Sequence, residues 1–338
     1  MELILIAILK AIAFILLFLT VAAILTYVER RISAFIQDRL GPNRVGPFGL
    51  FQPVADLIKI LFKEEIIPAN ADKTLHTIAP IISLFVAYSL IAVLPIGEKI
   101  VIGGKEIKLI VADVDVGFLY ILALSSMGVY GVTLSGWSSN NKYSLLGALR
   151  ASAQMISYEL SLGLSLIGIV LVSGSIRIDE IIKSQANVWN IFYQPVGFII
   201  FLVSAFAETN RLPFDLPEAE PELVAGYHTE YSGMKFGAFY LAEYTNVITA
   251  SLLTTAFFLG GWYFPFIDIY SGLNPNLAAI LQIIVFFAKA GIIIFLFMLV
   301  RWTLPRFRYD QLMRLGWQVL LPLALLNVLV TGLVKILL

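Results

Sequence analysis

The chain has 338 residues, of which 59% are hydrophobic and 14% charged, with a mean hydropathy of +0.89 and a formal net charge of zero. Soluble domains average about 45–50% apolar and about 25% charged residues, so a soluble globular protein is excluded, and neutrality argues against nucleic acid as a partner. The absence of cysteine rules out disulfides, thiolate-held iron–sulfur clusters and thiol catalysis; any such redox centre must sit on another chain.

A bilayer core of about 30 Å needs about 20 mostly apolar residues per helix. Eight segments meet this need, near 3–28, 77–96, 116–135, 151–173, 191–208, 237–263, 277–300 and 316–337. The first begins Met-Glu and lacks a basic leader or a small-residue cleavage site, which predicts a retained span. The expected fold is therefore all-α and polytopic, with about eight transmembrane helices plus a cytoplasmic amphipathic helix, in a single integral membrane domain over 1–338. Connections after the odd-numbered spans carry fifteen lysines and arginines, against five after the even-numbered ones. This predicts that the odd loops are cytoplasmic and both termini lie outside. The outer run GEKIVIGGKEIKLIVADVD reads as a small hairpin about Gly103 and Gly104.

The longest connection follows the first span. Gly41-Pro42 and Gly46-Pro47 break helix there. Beyond them Val54, Leu57, Ile58, Leu61 and Phe62 share one helical face, with Asp56, Lys59 and Lys63 opposite, the pattern of an interfacial helix. Arg30, Arg31, Arg39 and Arg44 fit a surface-bound loop obeying the positive-inside bias; in the other reading this helix and the first span frame an opening for an amphipathic ligand whose polar head meets Arg30, Arg39 or Asp56. Charge and periodicity leave both readings open.

Several charges fall where lipid would penalise them. Glu159 lies within the fourth span, Glu243 within the sixth and Lys289 midway along the seventh, while Glu208 closes the fifth. A charge at a helix centre costs about 2.5–3.5 kcal/mol on insertion scales, so such groups face a bundle interior or water. Buried carboxylates can take up and release protons near neutral pH, although snorkelling or structural pairing is the alternative for any one of them. Next comes AETNRLPFDLPEAEPELVAGYHTEY, with Glu208, Asp215, Glu218, Glu220, Glu222 and Glu230 around a single cation, Arg211. Glu218 and Glu222 are spaced to share a helical face, and Pro221 suits the first turn of such a helix. The segment is a candidate proton-coupling element or an acidic docking patch. His76 and His228 lie near span ends or in loops, which argues against a haem held between paired histidines.

Four blocks carry a resemblance: ERRISAFIQDRLGPNRVGPFGLFQPVADLIKILFKE, SGWSSNNKYSLLGALRASAQMISYE, AETNRLPFDLPEAEPELVAGYHTEYSGMKFGAFYLAEYTN and RWTLPRFRYDQLM. In sequence and order they resemble the quinone-chamber membrane subunit of respiratory complex I, the proton-translocating NADH:quinone oxidoreductase. The resemblance implies a translocase component that carries no redox centre and is not catalytic alone. It implies ubiquinone or menaquinone as substrate, FMN and iron–sulfur clusters on partner subunits, and soluble peripheral-arm, small and antiporter-like membrane subunits as partners. It places Arg30, Arg39, Phe51 and Asp56 along a quinone chamber. Glu208, Asp215, Glu218, Glu220, Glu222 and Glu230 match its acidic loop; Tyr158, Glu159 and Glu243 match the start of a hydrated path. Lys289 joins the proton-coupling candidates by its intramembrane position. The implied location is the cell inner membrane. The membrane component of a membrane-bound hydrogenase shares parts of these blocks, and a free-standing ion transporter or a structural anchor is the remaining alternative.

Overall fold

The computed structural model describes residues 2–102, 104–216, 224–267, 269–270 and 272–337. Its elements are helices α1 Glu2–Ile36, α2 Gln52–Leu61, α3 Lys73–Ala92, α4 Gly117–Ser138, α5 Lys142–Ser173, α6 Ile178–Ser184, α7 Asn190–Tyr193, α8 Pro195–Glu208, α9 Gly233–Phe258, α10 Pro275–Thr303, α11 Tyr309–Arg314 and α12 Leu321–Leu337. A π segment, Leu315–Leu320, joins the last two. The one sheet among the described residues is the expected hairpin, β1 Lys99–Ile102 against β2 Lys105–Lys108, with Ile100 opposite Ile107.

The helix ends follow local chemistry. The Asp72 carboxylate accepts from the amides of Thr74 and Leu75 at 3.0 and 3.2 Å, and Asn141 accepts from Tyr143 at 2.9 Å, the side-chain capping that helix N-termini need. Proline opens α8 and α10, where its missing amide costs nothing. Several spans differ from expectation. Helix α5 starts at Lys142, nine residues before the apolar run, because the Asn141 cap precedes it. Helix α1 runs on to Ile36, and α9 stops at Phe258. The helical reading of Glu218 to Glu222 falls outside the described residues.

Six helical stretches are long and apolar enough to cross a membrane; the expected spans five and six are not among them. Helix α8 has only 14 residues, about 21 Å of rise against the core's about 30 Å. Helix α9 has length but not apolarity, and its position explains why. It packs between α1, α3 and α10, and every residue from Val247 to Phe258 is buried. A helix shielded from lipid by protein has no need of an apolar surface. Its hydroxyls instead bond back one turn, Thr245 to Leu241, Thr249 to Thr245, Ser251 to Val247, Thr254 to Ala250 and Thr255 to Ser251, so none of these polar groups is stranded.

Hydrogen bonds sort the connections onto two faces. On one, Lys10 donates to the Lys108 carbonyl, Asn276 brackets Val101 with both amide atoms, and Lys335 donates to Val172. On the other, Ile66 bonds Ser232, Lys235 bonds Thr77, and Asn141 bonds Glu230. Odd-numbered connections thus share a face opposite the even ones and the termini.

Candidate functional site: a buried charge network beside an internal void

Arg211 follows α8, and its side chain is 4% exposed. Its ion-pair partners among the described residues lie far from it in sequence. Its Nε donates to Glu243 of α9 at 2.5 Å and its Nη1 to Glu29 of α1 at 2.9 Å. Glu29 is held from its other oxygen by Arg301 at the end of α10, at 2.6 Å. The Arg211 guanidinium also lies 4.0 Å from the centre of the Tyr244 ring, a cation–π arrangement. Two carboxylates and two guanidiniums form a neutral chain, Glu243–Arg211–Glu29–Arg301, which draws four separate elements to one point. Burial disfavours the Arg211 charge, but Glu243 and Glu29 outweigh it and hold the guanidinium above its ordinary range.

Glu243 also lines a small cavity of about 40 Å³ with Ser83, Asn210, Tyr227 and Asn246. A second cavity of about 40 Å³ shares Val86, Gly128, Met155, Thr209 and Asn246 with the first and ends at Ser125 and Glu208. The two adjoin as a narrow, mainly apolar-walled passage from Glu243 to Glu208, each cavity large enough for water. Glu159 stands beyond, accepting from Ser125 at 3.4 Å and from Ser126, near enough to Glu208 for their charges to interact.

Tyr158 is fully buried and donates to the Leu312 carbonyl of α11 at 2.9 Å, three residues before the π segment. Trp317 within that segment donates to Ser157 at 3.0 Å. π turns are rare and occur often at functional sites. Asp215 accepts from Arg306 at 2.6 Å and Glu230 from Asn141 at 2.6 Å. Gly147 on α5 presses against the chain beside Glu230, so tightly that an added Cβ would lie 2.7 Å from the Gly226 Cα. Glu218, Glu220 and Glu222 lie outside the described residues.

The buried His228 is depressed to about 3 by burial, which keeps it neutral, and the Tyr231 hydroxyl is pushed up to about 12 by burial, against the pull of Ser138. For His228 the unfolded state binds its proton near the ordinary value of 6.5. Its contribution to stability is therefore present above that pH and lost as pH falls from about 6.5 towards about 3. Replacing His228 with Leu is expected to flatten the acid limb of a thermal-stability profile, and an unchanged limb counts against this origin.

The quinone-chamber candidates sit together on the first connection. Arg30 pairs with Asp56 at 2.7 Å, and Gln52 donates to the same carboxylate at 3.0 Å. Phe51 precedes α2 and covers Gly46, whose positive φ of 75° and contact with the Phe51 ring suit glycine alone. Tyr27 and Arg31 both donate to the Phe48 carbonyl, tying the loop to α1. Arg39 is exposed just beyond α1. The apolar face of α2 is open, with Val54, Leu57, Ile58, Leu61 and Phe62 all exposed.

Lys289 stands apart from the carboxylate passage. Its ammonium donates to the carbonyls of Leu259, Gly261 and Tyr263 at 2.7, 2.9 and 2.6 Å, and faces the rings of Trp189 and Phe264. These are the carbonyls freed where α9 ends, on the face of the termini. Glu29, Arg301 and Tyr244 were not singled out from sequence. Their signal is faint: an acidic residue directly before Arg30-Arg31, and an arginine that closes an apolar span.

A mainly helical, multi-pass membrane protein with paired charges inside its bundle defines the class. The profile of the NADH dehydrogenase family matches residues 9–332. The chain is 54% identical to an NADH-quinone oxidoreductase subunit of Cytophaga hutchinsonii and 55% identical to one of Geobacter metallireducens, in each case over 93% of this chain and 92% of the relative. It is 52% identical to NADH-quinone oxidoreductase subunit 8 of Rhodothermus marinus over 93% of both. The chain belongs to the NADH dehydrogenase family of membrane subunits. Among the described residues, no group of three or more His, Cys, Asp or Glu side chains could hold a metal ion.

Proposed function

We propose that this chain, a membrane subunit of an NADH-quinone oxidoreductase, shelters the quinone and passes the effect of its reduction into the membrane through carboxylates. The observation that carries this reading is the charge network at Arg211 beside the two adjoining cavities that run from Glu243 to Glu208. Reduction of a quinone to a quinol consumes two electrons and two protons, so a carboxylate chain beside the substrate feels both charge and proton demand. Arg30, Arg39, Phe51 and Asp56 serve the substrate at the first connection, where the open apolar face of α2 suits an isoprenoid tail. Asp215, Glu218, Glu220, Glu222 and Glu230 respond to quinone chemistry, and Glu243, Glu208, Tyr158 and Glu159 carry the response inward. Lys289, with all three ammonium hydrogens on backbone oxygens, holds structure and lies outside that path.

The whole chain acts as one integral membrane domain in the cell inner membrane, with both termini outside. Ubiquinone or menaquinone is the substrate. FMN and iron–sulfur clusters belong to soluble peripheral-arm partners, and small and antiporter-like membrane subunits adjoin it within the bilayer. The relatives' names favour this over a hydrogenase-type complex.

The test is electron transfer by the complex that co-purifies with a tagged copy, followed by proton uptake in vesicles. NADH oxidation linked to quinone reduction is expected, and Glu243→Gln should lower the quinone-linked rate several-fold. Hydrogen driving the assembly while NADH stays inert would move the chain to the rival complex. Normal rate and proton-to-electron ratio in both Glu243→Gln and Glu208→Gln would defeat the coupling role.

A further inference from the structure

Gln154 lies on α5, fully buried, one turn before Tyr158. Its amide nitrogen donates to the Ala207 carbonyl at 2.6 Å and to the Phe214 carbonyl at 2.7 Å, with Asn210 Oδ1 further off at 3.4 Å. Both close partners are acceptors, so the nitrogen must face them, and its two hydrogens are fully used. Ala207 belongs to the last turn of α8, where carbonyls lack helical donors. Phe214 is where the chain returns, its ring against Tyr158 and Phe307. One side-chain nitrogen therefore pins both ends of the turn that carries Glu208 and Arg211. The turn's own bonds, Asn210 to Ala207 at 3.3 Å and Phe214 to Arg211 at 2.9 Å, are local and do not reach α5. Gln154 makes the strong bonds that tie them to the helix bearing Tyr158 and Glu159, beside the weaker Asn210 contact to Met155 Sδ at 3.5 Å and the Phe214 ring against Tyr158.

We propose that Gln154 is a positioning residue for the coupling path, fixing Glu208 at the void and Arg211 between Glu29 and Glu243 by clamping the Ala207–Phe214 turn to α5. This rests on the reading that those groups couple quinone reduction to the membrane. Leucine matches the size of the side chain but cannot donate. Glutamate matches its shape, donates nothing when ionised and donates one hydrogen when protonated.

The experiment uses the intact purified complex, with NADH oxidation by decylubiquinone normalised to NADH oxidation by ferricyanide, an acceptor that does not need the quinone site. Gln154→Leu is expected to lower the normalised rate about tenfold, the scale for losing donors to buried carbonyls. Gln154→Glu is expected to gain activity relative to wild type as pH is lowered from about 8 to about 6, as the carboxyl regains a proton to donate. Glu208, Arg211 and Asp215, the charged groups nearest the clamp, are common to both proteins and cancel in that ratio. A purely architectural role predicts a ratio independent of pH once complexes are assembled, and that result overturns the proposal, as does a normal rate in Gln154→Leu. If Gln154→Leu does not assemble, Gln154→Glu carries the test. Glu208→Gln is measured alongside. A lowered rate there with normal Gln154 variants defeats the clamp alone, whereas unchanged rate and proton-to-electron ratio in Glu208→Gln remove the coupling role and the clamp's purpose with it.

Discussion

Arg211→Leu is expected to destabilise the protein by about 3–5 kcal/mol, the range for removing one partner of a buried ion pair, and to abolish quinone-linked turnover. The guanidinium links Glu243 to Glu29. Without it, Glu243 keeps no cationic partner among the described residues, and Glu29 retains Arg301. Lysine is a poor substitute, because a single ammonium cannot reproduce the guanidinium's fork of donors or lie flat on the Tyr244 ring. The check is thermal unfolding and quinone reductase activity of Arg211→Leu, Arg211→Lys and the double variant Arg211→Leu/Glu243→Leu. The double variant should recover stability over Arg211→Leu, since it no longer buries the unpaired Glu243 charge, while activity stays lost. Equal stability of the single and double variants would show that the pair is not coupled.

Lys289→Met is expected to act in the opposite sense on the two readouts, with assembly impaired and coupling intact. The ammonium satisfies three carbonyls at the end of α9, and of these Tyr263 keeps another donor, the Trp189 indole at 3.0 Å. Stranding the other two costs about 1–3 kcal/mol each. The ends of neighbouring elements depend on the same turn. Tyr263 reaches Glu98 before the β1–β2 hairpin at 2.6 Å, and Gln185 bonds Gly260 at 3.0 Å. The yield of assembled complex and its unfolding temperature should fall, while whatever assembles keeps its proton-to-electron ratio. A normal yield with a reduced ratio would instead restore Lys289 to the proton path.

Six of the eight expected spans were legible because apolar length is a local property: about 20 residues of hydrocarbon side chain announce a membrane helix wherever they sit. The amphipathic helix α2 and the β1–β2 hairpin were legible for the same reason, from a period of 3.6 and from paired β-branched runs about glycines. Helix boundaries were less so, since α5 starts at a cap rather than where apolarity starts. The acidic segment was visible as composition, but its electrical balance was not. Sequence showed Arg211 only as the single cation among six carboxylates; the fold sends it to Glu29, 182 positions away, and to Glu243. Glu29 and Arg301 looked like ordinary span ends, because only a three-dimensional meeting gives them partners.

By itself, then, the sequence determined that this is a helical membrane protein without thiol-held redox centres, that charges enter its bundle, and through its long motifs which family it resembles. The tertiary structure alone decided which charges meet. Coulomb pairing and hydrogen bonding act over a few ångströms of space and are blind to chain separation. The same geometry divides Glu243 and Glu208, which share a passage, from Lys289, which caps a helix end.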